Sequence, residues 1–375
     1  MTQHGNELVN KPTAETEHGT EDASPNQQTT LPHQDRYARQ RQFWAIGEQG
    51  QQQIEAASVA VIGCGALGTV AAELLCRAGV GRILIIDRDV VEWTNLQRQS
   101  LFDSKDAQQG NAKAEAACQR LAEINPSIEL IPCVADLNPG NIESLLQGVD
   151  LAIDATDNFG IRFLINDWAL ATSSVWVHGG CVGASGQVRL FDGSTRPCFR
   201  CLVPELPPQG MVDTCDTAGV LGSATHAIAS MQVTEAIKWI SGNRQQVSQA
   251  VIAVDFWNNK TRAVSLPPEV APNCPACVGR DFEYLQGQAL ATDAISLCGR
   301  NAVQIAAAKS TPPPSLDALQ SRWTGVGDVQ RTRFFVRLHV DAETSVTVFR
   351  DGRMVVQGTD DLARARAMVD RFIGQ

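Results

Sequence analysis

Ser58-Val59-Ala60-Val61-Ile62-Gly63-Cys64-Gly65-Ala66-Leu67-Gly68 is the stretch on which the fold turns. A short apolar run leads straight into closely spaced glycines. A run of that kind suits a strand buried on both faces of a parallel sheet. Thr69 to Ala78 then reads as a helix, and Arg82-Ile83-Leu84-Ile85-Ile86-Asp87 as a second strand. Ser58 to Asp87 is therefore predicted to be one β-α-β unit. Gly63, Gly65 and Gly68 would let the backbone approach a phosphate, and the helix N-terminus would offer it free N–H groups. Asp87 ends the second strand about 20 residues further on, the usual place for an acid that holds ribose hydroxyls. The pattern predicts a nucleotide site. A tight turn beside an acidic strand end accounts less well for both halves together. The choice among NAD, FAD and ATP stays open on this pattern alone.

The alternation continues outward. A helix is expected over Lys113–Ile124, a strand over Glu129–Cys133, a helix near Ile142–Leu146 and a strand over Asp150–Asp154. Strands alternating with helices predict an α/β fold with a doubly wound, mostly parallel, Rossmann-like sheet. Trp176 to Phe191 reads as further strand with Gly-rich turns. A Pro- and Gly-rich loop from Pro204 to Leu221 precedes a helix over Ser223–Ile240. The texture changes near residue 283. Ser315 is placed to cap a helix ending at Trp323. Phe334–Val340, Ser345–Phe349 and Met354–Gln357 read as strands, with Asp351-Gly352 as a hairpin signal. Asp360–Ile373 reads as an amphipathic helix with Leu362, Ala365, Val369 and Phe372 on one stripe. The expected organisation is a disordered polar tail over 1–33, a nucleotide-binding domain over 34–282, and a small α+β accessory domain over 283–375.

Bulk properties narrow the classes. With 31 basic and 41 acidic residues the net charge is −10, which argues against a general nucleic-acid or anionic-membrane binder. The polar first 33 residues hold no apolar signal segment, so the expected location is cytoplasmic. The 11 cysteines then point to metal sites or chemistry rather than disulfides. Cys198-Phe199-Arg200-Cys201 and Cys274-Pro275-Ala276-Cys277 are two C-x-x-C pairs. Four thiolates so spaced match a closed tetrahedral structural zinc site. Two unrelated knuckles, or a redox dithiol, are the competing readings. Cys64, Cys76, Cys118, Cys133 and Cys181 lie in apolar segments and are expected to pack the core.

Other residues are less decisive by themselves. Arg98 and Asn95 sit in a charged loop after the second strand, where they could reach phosphate or ribose, yet such loops are commonly solvated surface. Lys113 opens a helix, and lone lysines are commonly exposed. Asp157 lies beyond a strand's carboxyl end, where it could hold Mg²⁺ or simply cap the next helix.

Over residues 34–282 the chain resembles the bacterial E1-like adenylyltransferases, the MoeB/ThiF/HesA family, which are relatives of the ubiquitin-activating enzymes. The resemblance rests on Arg36-Tyr37-x-Arg39-Gln40, the Gly63–Gly68 loop, Asn95-Leu96-Gln97-Arg98-Gln99, Lys113 and Thr156-Asp157-Asn158. It also rests on both C-x-x-C pairs, Thr214-Cys215-Asp216 to Gly219-Val220, and Gln232-x-x-Glu235-Ala236-x-Lys238. It implies ATP as cofactor, with phosphates on Gly63, Gly65 and Gly68, ribose on Asp87, triphosphate contacts from Asn95, Arg98 and Lys113, and Mg²⁺ on Asp157. Arg39 would be an arginine finger reaching into the partner subunit of a homodimer. The implied reaction is adenylation of the Gly-Gly carboxylate of a ubiquitin-fold sulfur carrier such as ThiS or MoaD, in thiamine or molybdenum-cofactor biosynthesis. A sulfur donor, such as a cysteine desulfurase, would follow. Cys215 would be either a covalent carrier of the activated group or part of loop structure; its neighbours Asp213 and Asp216 disfavour a thiolate. The accessory segment resembles a C-terminal extension of longer members, in which Cys298 has no evident catalytic role. The alternatives are an NAD- or FAD-dependent oxidoreductase, and an E1-like enzyme that adenylates another peptide.

Overall fold

Short apolar runs build the larger of two sheets in the computed structural model, which describes residues 36–207, 218–288, 294–297, 301–306 and 313–374. The tail over 1–33, Cys215 with its flanking acids, and Cys298 lie outside these described residues. The strands are β1 (Ser58–Ile62), β2 (Arg82–Ile86), β3 (Glu129–Cys133), β4 (Leu151–Asp154), β5 (Val175–Val182), β6 (Ser185–Phe191), β7 (Val251–Asp255) and β8 (Lys260–Val264). Their spatial order is β3-β2-β1-β4-β5-β6-β7-β8. The first five are mutually parallel, and β6 to β8 add an antiparallel extension.

The apolar runs are continuous because helices cover both faces. Val59, Val61, Ile83, Ile85, Ile153 and Val177 enter one core. Ala60, Ile62, Leu84, Ile86 and Ala152 enter the other, with Phe163, Trp168 and Trp176. Each fully buried Val or Ile contributes roughly 1.5–3 kcal/mol by leaving water. Helix Ala66–Ala78 starts three residues before the expected Thr69, because Gly65 is already its N-cap. Helix Phe159–Thr172 and the hairpin of β7 and β8 are among the elements that were not anticipated. That helix is buried nearly all round, Arg162, Asn166 and Asp167 included, so it carries no amphipathic stripe to read.

Strand order reverses between β1 and β4. Such a switch point opens a crevice at the carboxyl ends of the strands. Gly63 follows β1 and Ala155 follows β4, so both flank it.

The smaller sheet contains β9 (Ala294–Leu297), β10 (Ala302–Ile305), β11 (Asp328–Arg331), β12 (Phe335–His339), β13 (Ser345–Phe349) and β14 (Met354–Gln357). All its pairings are antiparallel, in the order β11-β12-β13-β14-β10-β9. Three of these strands match the expected ones, and Phe349 and Arg353 close the expected hairpin around Gly352 at φ +85°. One face holds Val336, Leu338, Val346, Val348, Met354 and Val356, packed on helices Leu316–Trp323 and Leu362–Phe372. Trp323 Nε1 donates to the Phe372 carbonyl at 3.0 Å and ties those helices together. The opposite face is polar over part of its area, where Gln330, Arg337 and Thr347 stand in one cross-strand row and His339, Ser345 and Gln357 in the next, while Phe335, Phe349 and Val355 on it pack with Val90. Around this polar face, Gln304 Nε2 donates to Asp136 at 2.9 Å and Arg353 Nη2 to the Arg88 carbonyl at 2.7 Å. Tyr284, just past the expected boundary at 282, is buried and stacks on Phe163 at 4.7 Å, so the chain stays with the larger core there.

Candidate nucleotide site and four-cysteine cluster

A cavity of about 710 Å³ opens at the carboxyl ends of the parallel strands. Gly63, Gly65, Asp87, Arg98, Lys113 and Asp157 all line it. The glycine turn has steric reasons for its composition. Gly63 has φ +89°, and a Cβ there would stand 2.9 Å from the Ala155 carbonyl oxygen. A Cβ on Gly68 would run into the Gly63 carbonyl oxygen. Gly68 therefore holds the helix close under the turn and does not itself line the cavity. At Gly65 the nearest atom to a Cβ would be Gln99 Nε2 at 3.9 Å, so the backbone there is open to the cavity.

Asp87 braces the same turn. Its carboxylate accepts from Cys64 N–H at 2.6 Å and Asp89 N–H at 2.7 Å. Burial pushes its carboxyl above the ordinary range, opposed by the Lys113 ammonium. Lys113 is 4% exposed and lies 3.6 Å from Asp89. It is a buried cation on the cavity wall, not the surface lysine its isolation suggested. Arg98 is partly exposed and donates to the Thr94 carbonyl at 2.8 Å. Asp157 is exposed. The cap of the following helix is Asn158, whose side chain accepts from Ile161 N–H at 3.3 Å. The capping alternative for Asp157 is thus taken by its neighbour, which leaves the Asp157 carboxylate on the cavity wall.

Two expected residues stand elsewhere. Asn95 is buried, and its Oδ1 accepts from Glu92 N–H at 3.0 Å; it lines a separate cavity. Arg39 is exposed and donates to Gln42 at 3.0 Å, away from this cavity. Its neighbours anchor the segment: Tyr37 OH accepts from Asn125 at 2.8 Å, and Gln40 Nε2 donates to the Ala78 carbonyl at 2.9 Å. Cys215 falls outside the described residues.

Sequence reasoning missed a buried charge network beneath the Thr156-Asp157 turn. Asp154, wholly buried at the end of β4, lies 2.9 Å from His178 Nδ1 and 3.2 Å from Arg162 Nε. Its other oxygen accepts from Thr156 Oγ1 at 2.7 Å and Thr156 N–H at 3.0 Å. Arg162 also donates to the Thr156 carbonyl. Burial would push Asp154 up, but Arg162 and the His178 hydrogen bond hold it below the usual carboxylate range. Burial lowers His178 in turn, against the pull of Asp154. Gln232, in the helix Gly222–Ile240, donates to the Asp154 carbonyl at 2.7 Å. The available signal was an acid ending one strand beside His178-Gly179-Gly180 in the next. A Cβ at Gly179 would collide with Gln232.

The paired cysteines meet. Cys198, Cys201, Cys274 and Cys277 bring their sulfurs within 4.8 Å of one another, a group that could hold a metal ion. The close contacts are 3.8, 3.7 and 3.5 Å for Cys198–Cys201, Cys198–Cys274 and Cys201–Cys277. A tetrahedron with metal–sulfur bonds of ~2.3 Å has edges of about 3.8 Å, so the spacing fits a Cys₄ zinc site. The hydrogen bond from Cys198 holds the Cys201 thiol down at about 5, while Cys198 is pushed up. Cys64, Cys76, Cys118 and Cys181 are buried as expected, and Cys133 is partly so. Burial pushes Cys118 up to about 12.

Among the described residues, no helix is long and apolar enough to cross a membrane.

Known proteins match this arrangement at several levels. The ThiF family matches residues 37–276. The sulfur carrier protein ThiS adenylyltransferase of Bacillus subtilis (strain 168) is 38% identical over 343 residues, covering 90% of this chain and 99% of the relative. That match extends well past the ThiF segment and takes in the accessory region. The adenylyltransferase and sulfurtransferase MOCS3 of Aedes aegypti is 37% identical over 242 residues, covering 64% of this chain and 55% of the relative. Among solved structures, E. coli MccB with MccA-N7isoASN superposes with a TM-score of 0.57 at 20% identity, over 66% of this chain and 75% of that one. That likeness speaks for the fold. A glycine turn and a buried lysine on one cavity, a four-thiol cluster and a family match over residues 37–276 lead to one conclusion: the chain belongs to the ThiF family.

Proposed function

We propose that the chain is an ATP-dependent adenylyltransferase acting on the C-terminal glycine carboxylate of a small ubiquitin-fold sulfur-carrier protein, in thiamine or molybdenum-cofactor biosynthesis. The observation that carries this reading is one cavity that gathers the Gly63–Gly65 turn, Asp87, Arg98, Lys113 and Asp157. The family supports it through relatives named as carrier adenylyltransferases.

The chemistry follows from the residues. A carboxylate attacks the α-phosphorus of ATP, an acyl-adenylate forms and pyrophosphate leaves. Negative charge gathers as this happens. Lys113, buried from water, and Arg98 at the rim offset it. The Gly65 backbone N–H region and Asp87 fix the phosphates and the ribose, so orientation supplies much of the acceleration. Asp157 is an exposed carboxylate on the wall and suits a hard divalent cation. Mg²⁺ held there would neutralise phosphate charge. Asn95 would act through the loop that carries Arg98. Arg39, displayed outward by the anchors Tyr37 and Gln40, would serve the partner site of a homodimer. Cys215 as covalent carrier, with a cysteine desulfurase as sulfur source, completes the reading of the pathway. Residues 34–282 would be the adenylating domain and 283–375 the accessory domain.

The four cysteines would bind a structural zinc, since four thiolates leave no open position for catalysis. Cys274→Ser is expected to reduce bound zinc from about one per chain to none and to lower the melting temperature. Metal analysis with thermal unfolding checks this; full zinc in the variant would contradict it.

The function is tested by ATP–pyrophosphate exchange with a purified carrier ending in Gly-Gly. Exchange should require the carrier. Carrier-independent behaviour together with tight NAD binding would favour the oxidoreductase reading instead.

A further inference from the structure

The polar face of the small sheet encloses a second cavity, of about 580 Å³, against the loop after β2. Thr94, Asn95 and Arg98 wall one side; Gln330, Arg337 and His339 wall the other. Arg98 lines this cavity and the nucleotide cavity alike. We infer that the cleft is an anion site that receives inorganic pyrophosphate as it leaves the nucleotide cavity, with Arg98 at the shared wall and Arg337 as the second cation. The inference rests on the adenylation reading, because that reaction makes pyrophosphate.

The donor chemistry points to a polyanion. Arg337 Nε donates to Thr347 Oγ1 at 2.9 Å and Nη1 to Gln330 Oε1 at 3.5 Å. Its Nη2 has no partner, and the residue forms no ion pair, among the described residues. Burial pulls Arg337 below the ordinary arginine range, and Glu92 opposes this only in part. A guanidinium so placed gains from a second anion. Gln330 and Gln357 also line the walls, with one amide N–H each directed to the Gln109 carbonyl and to Glu92 and a second N–H left to donate, and Thr94 adds a hydroxyl. Glu92 lines the cleft as well, its carboxylate accepting from Gln357 Nε2 at 3.4 Å, so the anion would sit on the side of Arg98 and Arg337.

The reaction geometry supplies the direction. Attack on the α-phosphorus expels pyrophosphate on the side opposite the incoming carboxylate. The leaving group carries several negative charges and moves most easily between cations. Arg98 is the cation that both cavities share, and Arg337 is the next one along. The accessory domain thereby takes part in product release, not merely in stability. The cleft belongs to this chain's own two sheets and needs no partner subunit.

The test titrates inorganic pyrophosphate and, separately, ATP into the full-length protein by calorimetry. The proteins are wild type, Arg337→Met and Gln108→Glu. Gln108 is an exposed residue on the same wall, so its variant keeps the fold while adding a carboxylate to the cleft. Both variants should weaken pyrophosphate more than ATP, raising the ratio of the two dissociation constants about tenfold. Arg337→Lys should recover part of the loss. An unchanged ratio in both variants would overturn the inference and make the cleft a gap between sheets. The adenylation reading fails separately, if wild type shows no carrier-dependent exchange although pyrophosphate still binds through Arg337.

Discussion

Lys113→Met is expected to lower carrier-dependent adenylation by about 10²–10³-fold in kcat/KM, the usual scale for losing one preorganised electrostatic group. The size follows from where the ammonium sits. Lys113 is 4% exposed and shares its pocket with Asp87 and Asp89. Its positive charge opposes the burial that pushes Asp87 up. Removing it takes away a cation near the phosphates and leaves two carboxylates facing each other. Asp87 would then ionise less readily and, in the proposed role, hold ribose less well. Both kcat and KM for ATP should suffer, and steady-state kinetics separates them. A loss below about threefold would mean that Lys113 only balances Asp89. Arg98, being partly exposed, should show a smaller effect on substitution, because water screens its charge.

Asp154→Ala should destabilise the fold by roughly 3–5 kcal/mol, since it strands a buried guanidinium. Arg162 has 9% side-chain exposure and His178 has 1%, so water cannot replace the lost carboxylate. Denaturant unfolding measures the change. Adding Arg162→Met to Asp154→Ala should recover part of the loss, because no charge is then left unpaired. If the double variant is as weak as the sum of the single ones, the network has been misread. The same cluster gives a pH dependence. The folded pKa of His178 lies below its ordinary 6.5. The folded protein therefore binds fewer protons than the unfolded chain in that window. Its stability contribution is complete above 6.5 and is lost as the pH falls through that value toward the lowered one. Asp154 behaves likewise below the ordinary 3.8, again losing stability on acidification. His178→Gln should flatten the decline near pH 6.5.

Local chemistry was the legible part of this protein. The Ser58–Ile62 run, the glycine turn and Asp87 declared a parallel sheet and a nucleotide site, because backbone sterics and strand burial act over a few residues. The two C-x-x-C pairs declared a tetrahedral cluster for the same reason: thiol spacing constrains metal geometry within each pair. Helix Phe159–Thr172 was not legible, because a helix buried all round loses its periodic stripe. The additional strands of the small sheet were missed because short strands draw their stability from partners distant in sequence.

The sequence by itself determined which residues could meet a phosphate, and that four thiols were available in pairs. Only the tertiary structure decided which of those residues share a cavity. It brought Lys113 inward against Asp89, gave the helix cap to Asn158 so that Asp157 stayed on the wall, and used Asn95 to hold a loop. It also created the Asp154–His178–Arg162 network and the cleft between Arg98 and Arg337. Each of these is a contact between segments far apart in the chain. Burial and the pairing of charges depend on such contacts, and no local pattern encodes them.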